Sequence, residues 1–254
     1  MILDLQKASV LKRASAFLLD LILFSILAVG FAVLVSTVTR YDTYAQKQDQ
    51  FLDTYAEQYL GMKLDDFEKL TDDEQKPYEQ AYLDMYKALN DDKEFSQNFS
   101  MIVSLSLLMV SLGIFLAILV LEFIIPLILK NGQTVGKKVF GIAVIRPNGV
   151  KANHVSLFIR ALLGKYTIET MIPVLLIMMM SFGMIGVVAP IILLGICILE
   201  VVVFAVSGTK SLIHDVISDT VSVDMASQMI FDDDECLIAY KTRLAAEAAE
   251  RKPY

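Results

Sequence analysis

The chain has 254 residues, a formal charge of −7 and 56% hydrophobic residues, against roughly 45–50% in an ordinary soluble domain. The excess lies in long blocks without the alternation of a strand or the rhythm of a surface helix, which excludes a conventional soluble fold. Two cysteines, Cys197 and Cys236, exclude a disulfide-built secreted fold, and two histidines, His154 and His214, exclude a histidine metal site; no metal, cofactor or nucleic-acid partner is expected.

Residues 1–13 read as a cytoplasmic N-terminus and 14–38 as a first membrane span, since about 20 apolar residues cross a bilayer. A cleaved signal peptide is the rival for this block. The apolar run is too long for one, carries Asp20 and lacks a small-residue cleavage site. Residues 39–98 form an acidic insertion with seven basic and fifteen acidic residues, net −8. Tyr44, Phe51, Tyr55 and Tyr59, then Tyr78, Tyr82, Met85 and Leu89, recur near helical spacing, so the insertion reads as an extracytoplasmic helical hairpin. Gly61 is a plausible stop for the first helix, and Thr71 with Glu74 has capping-box spacing before the second. Pro77 argues for a later helix start. The hairpin either binds a cationic partner or is a solvated structure packed on itself.

The second span, 99–129, contains Glu122. A basic loop follows at 130–166, with seven Lys and Arg and no acid through residue 165. Residues 140–145 are rich in strand formers, Pro147-Asn148-Gly149 is a turn, and 150–152 are expected to pair back. Asn153 is placed to cap an amphipathic helix at 155–166, with Arg160 and Lys165 reaching headgroups. Spans at 167–184 and 190–207 are separated by a weak stretch holding Gly183 and Pro190. In the tail, 208–254, residues 219–224 alternate like a further strand and a helix is expected from Asp232 onward. Lys and Arg are retained on the cytoplasmic side. The expected fold is therefore an all-α membrane protein of four transmembrane helices, N- and C-termini cytoplasmic. It carries a small cytoplasmic β-hairpin and short-helix module and an extracytoplasmic helical hairpin, and lies in a cell membrane, with a bacterial plasma membrane expected.

Ionisable groups within spans are functional candidates. Asp20 lies seven residues past Arg13, Glu122 eight before Lys130 and Glu200 ten before Lys210. These separations put the three acids about 10–15 Å along their helices, at similar depth, where they are expected to share one ion-binding or proton-coupling site. Pro126 removes the donor for the Glu122 carbonyl, which leaves an oxygen pair suited to a hard cation. Glu169 and Pro173 repeat the spacing, though there proline reads as a first-turn residue. The competing account of the acids is salt bridging to Arg13, Arg160, Lys137 and Lys138.

Other motifs are weaker. Residues 132–138 evoke a phosphate loop with the wrong glycine spacing and Lys in place of Ser/Thr. His214-Asp215 lacks a nucleophile, so no enzyme is expected. Met178, Met179 and Met180 read as helix packing. Ser104, Ser106, Ser111 and Gly113 read as helix-contact residues.

Four segments resemble the RDD family of membrane proteins. Lys12-Arg13-Ala14-Ser15-Ala16-Phe17-Leu18-Leu19-Asp20 resembles its opening, with Arg13 and Asp20 at the arginine and first aspartate. Residues 131–142, holding Gly132, Gln133, Gly136 and Lys137, resemble its loop, and Ile159-Arg160-Ala161-Leu162-Leu163 the segment after it. His214-Asp215 resembles the second aspartate site, with Val216 where a basic residue is frequent. The acidic insertion and the tail lie outside the common core. The resemblance implies a transporter, with cation/proton exchange suggested for some members and membrane-complex assembly for others. A small monovalent cation/proton transporter is thus the leading expectation. The alternative is a non-transporting scaffold or assembly partner. Expected partners are the lipid bilayer, a monovalent cation or proton, and a second copy or another membrane protein.

Overall fold

The computed structural model describes residues 5–129, 131–181, 183 and 185–250. Lys130, used to gauge the depth of Glu122, lies outside the described residues, as do 182 and 184 of the third predicted span and the predicted extreme termini. Val29–Gly113 forms one compact unit, and the described residues on either side of it form the other.

Helix α1, Val10–Thr39, is apolar on most sides. Arg40, at φ 54°, breaks it before α2, Tyr41–Leu60, and Gly61 in the left-handed region ends α2 by donating to Glu57 O. Short helices α3, Leu64–Glu68, and α4, Asp72–Gln75, follow, the latter started by the Thr71–Glu74 capping box. Pro77 sits in a single 3₁₀ turn, Lys76–Tyr78, and α5 runs Glu79–Asp91. The helices of this unit pack on one another through Ala56, Leu60, Leu64, Phe67, Met85, Leu89 and Phe95, leaving most acids exposed. Burying that apolar stripe is what holds an otherwise polar insertion together.

Helix α6 covers Lys93–Ile128. In the other unit, α7, Val135–Val139, is followed by β1, Ile142–Ile145, α8, His154–Ser181, and α9, Val188–Val206. Then come α10, Ile213–Ile217, β2, Val221–Asp224, and α11, Asp234–Glu250. Helices α1, α6, α8 and α9 are each long and apolar enough to cross a membrane.

Two expectations change. Strand β1 pairs antiparallel with β2, from Ile142↔Asp224 to Ile145↔Val221, and residues 150–152 supply a single bridge to β1, Ile145↔Lys151, while Val150 bridges Phe231. The turn itself forms, with Gly149 donating to Arg146 O. However, Val150 packs on Phe231 and Leu237, while Val221 and Val223 bury beside Ala143 and Ile145. The segment with more apolar surface to bury takes the strand edge. Second, the predicted amphipathic helix and third span are one helix, α8. Asn153 caps it by accepting from Ser156 N, and no breaker intervenes before the interior Pro173. Arg160 therefore sits inside the protein, 1% exposed, and does not reach headgroups.

Two stretches are wound as π-helix, Leu119–Ile124 in α6 and Arg160–Met171 in α8. Both end at the residue pair preceding a proline. Ile125 donates to Val120 O and Ile172 to Thr167 O, each five residues back, just before Pro126 and Pro173. Proline cannot donate to the carbonyl four residues behind it and its ring crowds that turn, so a wider winding relieves the helix.

Candidate functional site

The wide turn in α8 decides which side chains meet. At about 100° per residue, Arg160 and Lys165 on an α-helix would diverge by roughly 140°. With hydrogen bonds closing over five residues they come to one face, and Glu169 follows one turn on. Arg160 Nε donates to Asp215 Oδ1 and its Nη1 to Glu122 Oε2, both at 3.0 Å. Lys165 Nζ lies 3.3 Å from Glu122 Oε1, and Lys137 Nζ 3.8 Å from Oε2. Glu122 is thus held by three bases, and its carboxylate is not the open cation ligand that its spacing to Pro126 suggested.

Asp20 has different partners. Its Oδ2 accepts from Thr134 Oγ1 and its Oδ1 from the Gly136 amide, so it braces the start of α7 from α1. A Cβ on Gly136 would stand 2.3 Å from Ala16 O, which requires glycine at this crossing. Gly132, at φ +60°, presses on the Val144 carbonyl, and Gln133 Nε2 donates to Ile142 O, seating the loop on β1. Arg13 turns away from Asp20. It donates to Lys210 O at 2.6 Å, lies 3.8 Å from Asp215 Oδ2 and stacks over Phe204. Lys138 forms no ion pair among the described residues, so of the bases in the salt-bridge account Arg160 and Lys137 carry it, with Lys165 added.

His214 joins the network through Glu169. Its Nδ1 is 2.6 Å from Glu169 Oε1, its amide donates to the same oxygen at 3.1 Å, and its Nε2 is 3.5 Å from Asp215 Oδ1. Gly164 lets the imidazole approach, since a Cβ there would meet His214 Cβ at 2.4 Å. Glu200 accepts from the Ile213 amide at 3.4 Å, and its carboxyl faces that of Glu169.

The loop groups are tuned by this surrounding. Burial, with Arg160 nearby, pulls the Lys137 ammonium down to about 8 against the opposing pull of Glu122. Burial also lowers His214, although Asp215 opposes it. For Asp215, burial pushes up, but His214, Arg160 and Lys137 outweigh it and hold the carboxyl well below the usual range.

Two cavities flank the network. The smaller, about 280 Å³, is lined by Arg13, Lys137, Arg160, His214 and Asp215 among others. The larger, about 590 Å³, has apolar walls with Asp20, Glu122, Glu169 and Glu200 on them. Asp20, Phe17, Lys165 and Leu212 line both. The structure therefore brings Asp20, Glu122 and Glu200 to one cavity and adds Glu169, whose proline spacing was read as a first-turn feature. Since α8 begins at His154, Pro173 is interior, and the repeated Glu–Pro spacing was the available signal.

The arginine on α1, the aspartate seven residues further along it and the aspartate beside His214 all line the smaller cavity. Residues 7–219 match the family model described as the RDD family. The chain belongs to the RDD family. No curated protein and no solved structure matches this RDD protein. Its loop glycines, Gly132 and Gly136, are the positions where backbone approach leaves no room for a side chain.

Proposed function

We propose that this RDD protein is a small transporter that exchanges protons for a monovalent cation in a cell membrane, using the Glu169–Glu200 pair as its exchanging site. The observation that carries the reading is that pair on the wall of the larger cavity, where Glu200 forms no salt bridge among the described residues. A proton shared by two carboxyls leaves when a cation takes its place, and desolvation makes the two states exclusive. Glu122 and Asp20 serve as structural members, the first neutralising three bases and the second seating α7. The basic segment around Lys137 faces the cytoplasm, with both termini on that side. Enzymatic chemistry is not assigned, because the His214 ring is engaged by two carboxylates and not by a nucleophile.

The test is flux into proteoliposomes holding a pH-sensitive dye, driven by sodium or potassium gradients. Glu200→Gln and Glu169→Gln are each expected to lower the coupled rate at least about tenfold. Wild-type rates in both variants would remove the site. A scaffold role is the second reading, favoured by the acidic insertion folding as a compact unit with its own apolar core. Absence of flux together with stoichiometric copurification of another protein would select it.

A further inference from the structure

Both cavities reach the buried network, and Phe17, Asp20, Lys165 and Leu212 line both. The Lys165 ammonium sits 5.9 Å over the Phe17 ring and is tied to Glu122, and both residues face both cavities. A cation of either cavity meets the fixed Lys165 charge there, and the Asp20 carboxylate in the same wall is already taken by Thr134 and the Gly136 amide. Protons have a different way through. His214 lines only the smaller cavity, and Glu169 and Glu200 line only the larger. The 2.6 Å contact between His214 Nδ1 and Glu169 Oε1 therefore joins the two spaces. At its other end the ring faces Asp215, whose Oδ2 is buried and has no hydrogen-bond partner among the described residues.

We infer that His214 is a proton relay connecting the smaller cavity to the Glu169–Glu200 pair, while Phe17 and Lys165 keep ions from following. This rests on the exchange site proposed above and assigns the route by which its proton arrives. The ring gains a proton at Nε2 from water in the smaller cavity, beside Asp215. It then gives its Nδ1 proton to Glu169 Oε1, and the carboxyl pair passes that proton to Glu200 when the cation leaves. The imidazole is left neutral with its proton on Nε2, and moving that proton back to Nδ1 through water resets it. The groups facing the ring are Glu169, Arg160 and Lys165 on α8, Asp215 beside it, and Glu122 on α6. Burial biases the ring toward neutrality and Asp215 and Glu169 toward protonation, so it is poised to do both.

The relay separates two measurements. In proteoliposomes, His214→Gln is expected to lower sodium-driven proton flux at least about tenfold, with radiolabelled sodium-for-sodium exchange at the wild-type rate. Glu200→Gln loses both. Unchanged proton flux in His214→Gln overturns the relay and leaves the exchange site standing. Equal loss of both fluxes also overturns it, by making His214 structural. Wild-type protein without proton flux overturns relay and exchange site together. Should His214→Gln fail to fold, nitrogen-15 NMR of the two histidines in wild-type protein in nanodiscs decides. The relay expects His214 with its proton on Nδ1 near neutral pH, gaining a second on Nε2 below the ordinary histidine value of 6.5. An Nε2 proton alone at neutrality, or no protonation down to about pH 4.5, overturns it.

Discussion

Glu122 has three basic neighbours and Arg160 two acidic ones, and neither could be removed without stranding the others. Breaking a buried ion pair costs about 3–5 kcal/mol because the partner charge stays buried. Glu122→Gln is expected to lower the thermal midpoint in detergent by on the order of 10 °C, read by the loss of monodisperse protein on heating. A shift within error would mean that the three bases reach water. Gly136 makes a different kind of demand. Gly136→Ala inserts a methyl against the Ala16 carbonyl, so a loss of about 1–3 kcal/mol is expected by the same assay. Gly141→Ala is its control: the space there is open, and only the φ of +65° resists, at about 1–2 kcal/mol. Family resemblance made Gly136 legible as a motif residue. Its reason, a helix crossing at backbone distance, required the tertiary contact.

At the scale of elements, winding matters more than length. The four apolar blocks were readable because a bilayer sets a fixed helix length, and each has its helix. The partners of Arg160, Lys165 and Glu169 were not readable, because a rhythm of about 3.6 residues assigns them to different faces. Pro126 and Pro173 were the visible marks of the change. Pro173→Ala restores a donor for the Glu169 carbonyl and allows the α ladder to close. That change turns residues upstream of it by up to about 100° relative to those downstream. Proton flux is expected to fall about tenfold with monodispersity retained. Unaltered flux would show that the wide winding does not depend on the proline. In the sheet, strand-forming character in 142–145 and 219–224 was legible, whereas the partner was settled by which segment had apolar side chains to bury.

For the whole molecule, charge partition carries two messages. The basic loop is expected on the cytoplasmic side by composition, yet Lys137, Arg160 and Lys165 pair inside, and Arg146 and Lys151 pair with Asp234 and Asp232 in the tail. The topology is tested with Cys236 in a Cys197→Ser background. A membrane-impermeant maleimide is expected to leave Cys236 unlabelled in intact cells and to label a cysteine placed at exposed Asp65. Labelling of Cys236 would reverse the orientation. Acid is expected to weaken the fold. His214 has a folded value below its ordinary 6.5, so as pH falls below about 6.5 the unfolded chain binds a proton that the folded chain does not, and stability drops. Asp215 adds to the loss below its ordinary 3.8. The thermal midpoint should fall between about pH 7.5 and 5.5, less steeply in His214→Gln. An equal slope in both would assign the loss elsewhere.

Hydropathy, charge and local motifs were enough to determine the four helices long and apolar enough to cross a membrane, the helical insertion and the family, because each depends on residues near one another in sequence or on bulk composition. The tertiary structure alone decided that Glu122 is saturated by bases, that Glu169 lines one cavity with Glu200 and that His214 meets Glu169 from the other. Those outcomes depend on helix winding and on contacts between residues as far apart as Asp20 and Gly136 or Glu169 and His214, where no local pattern carries the information.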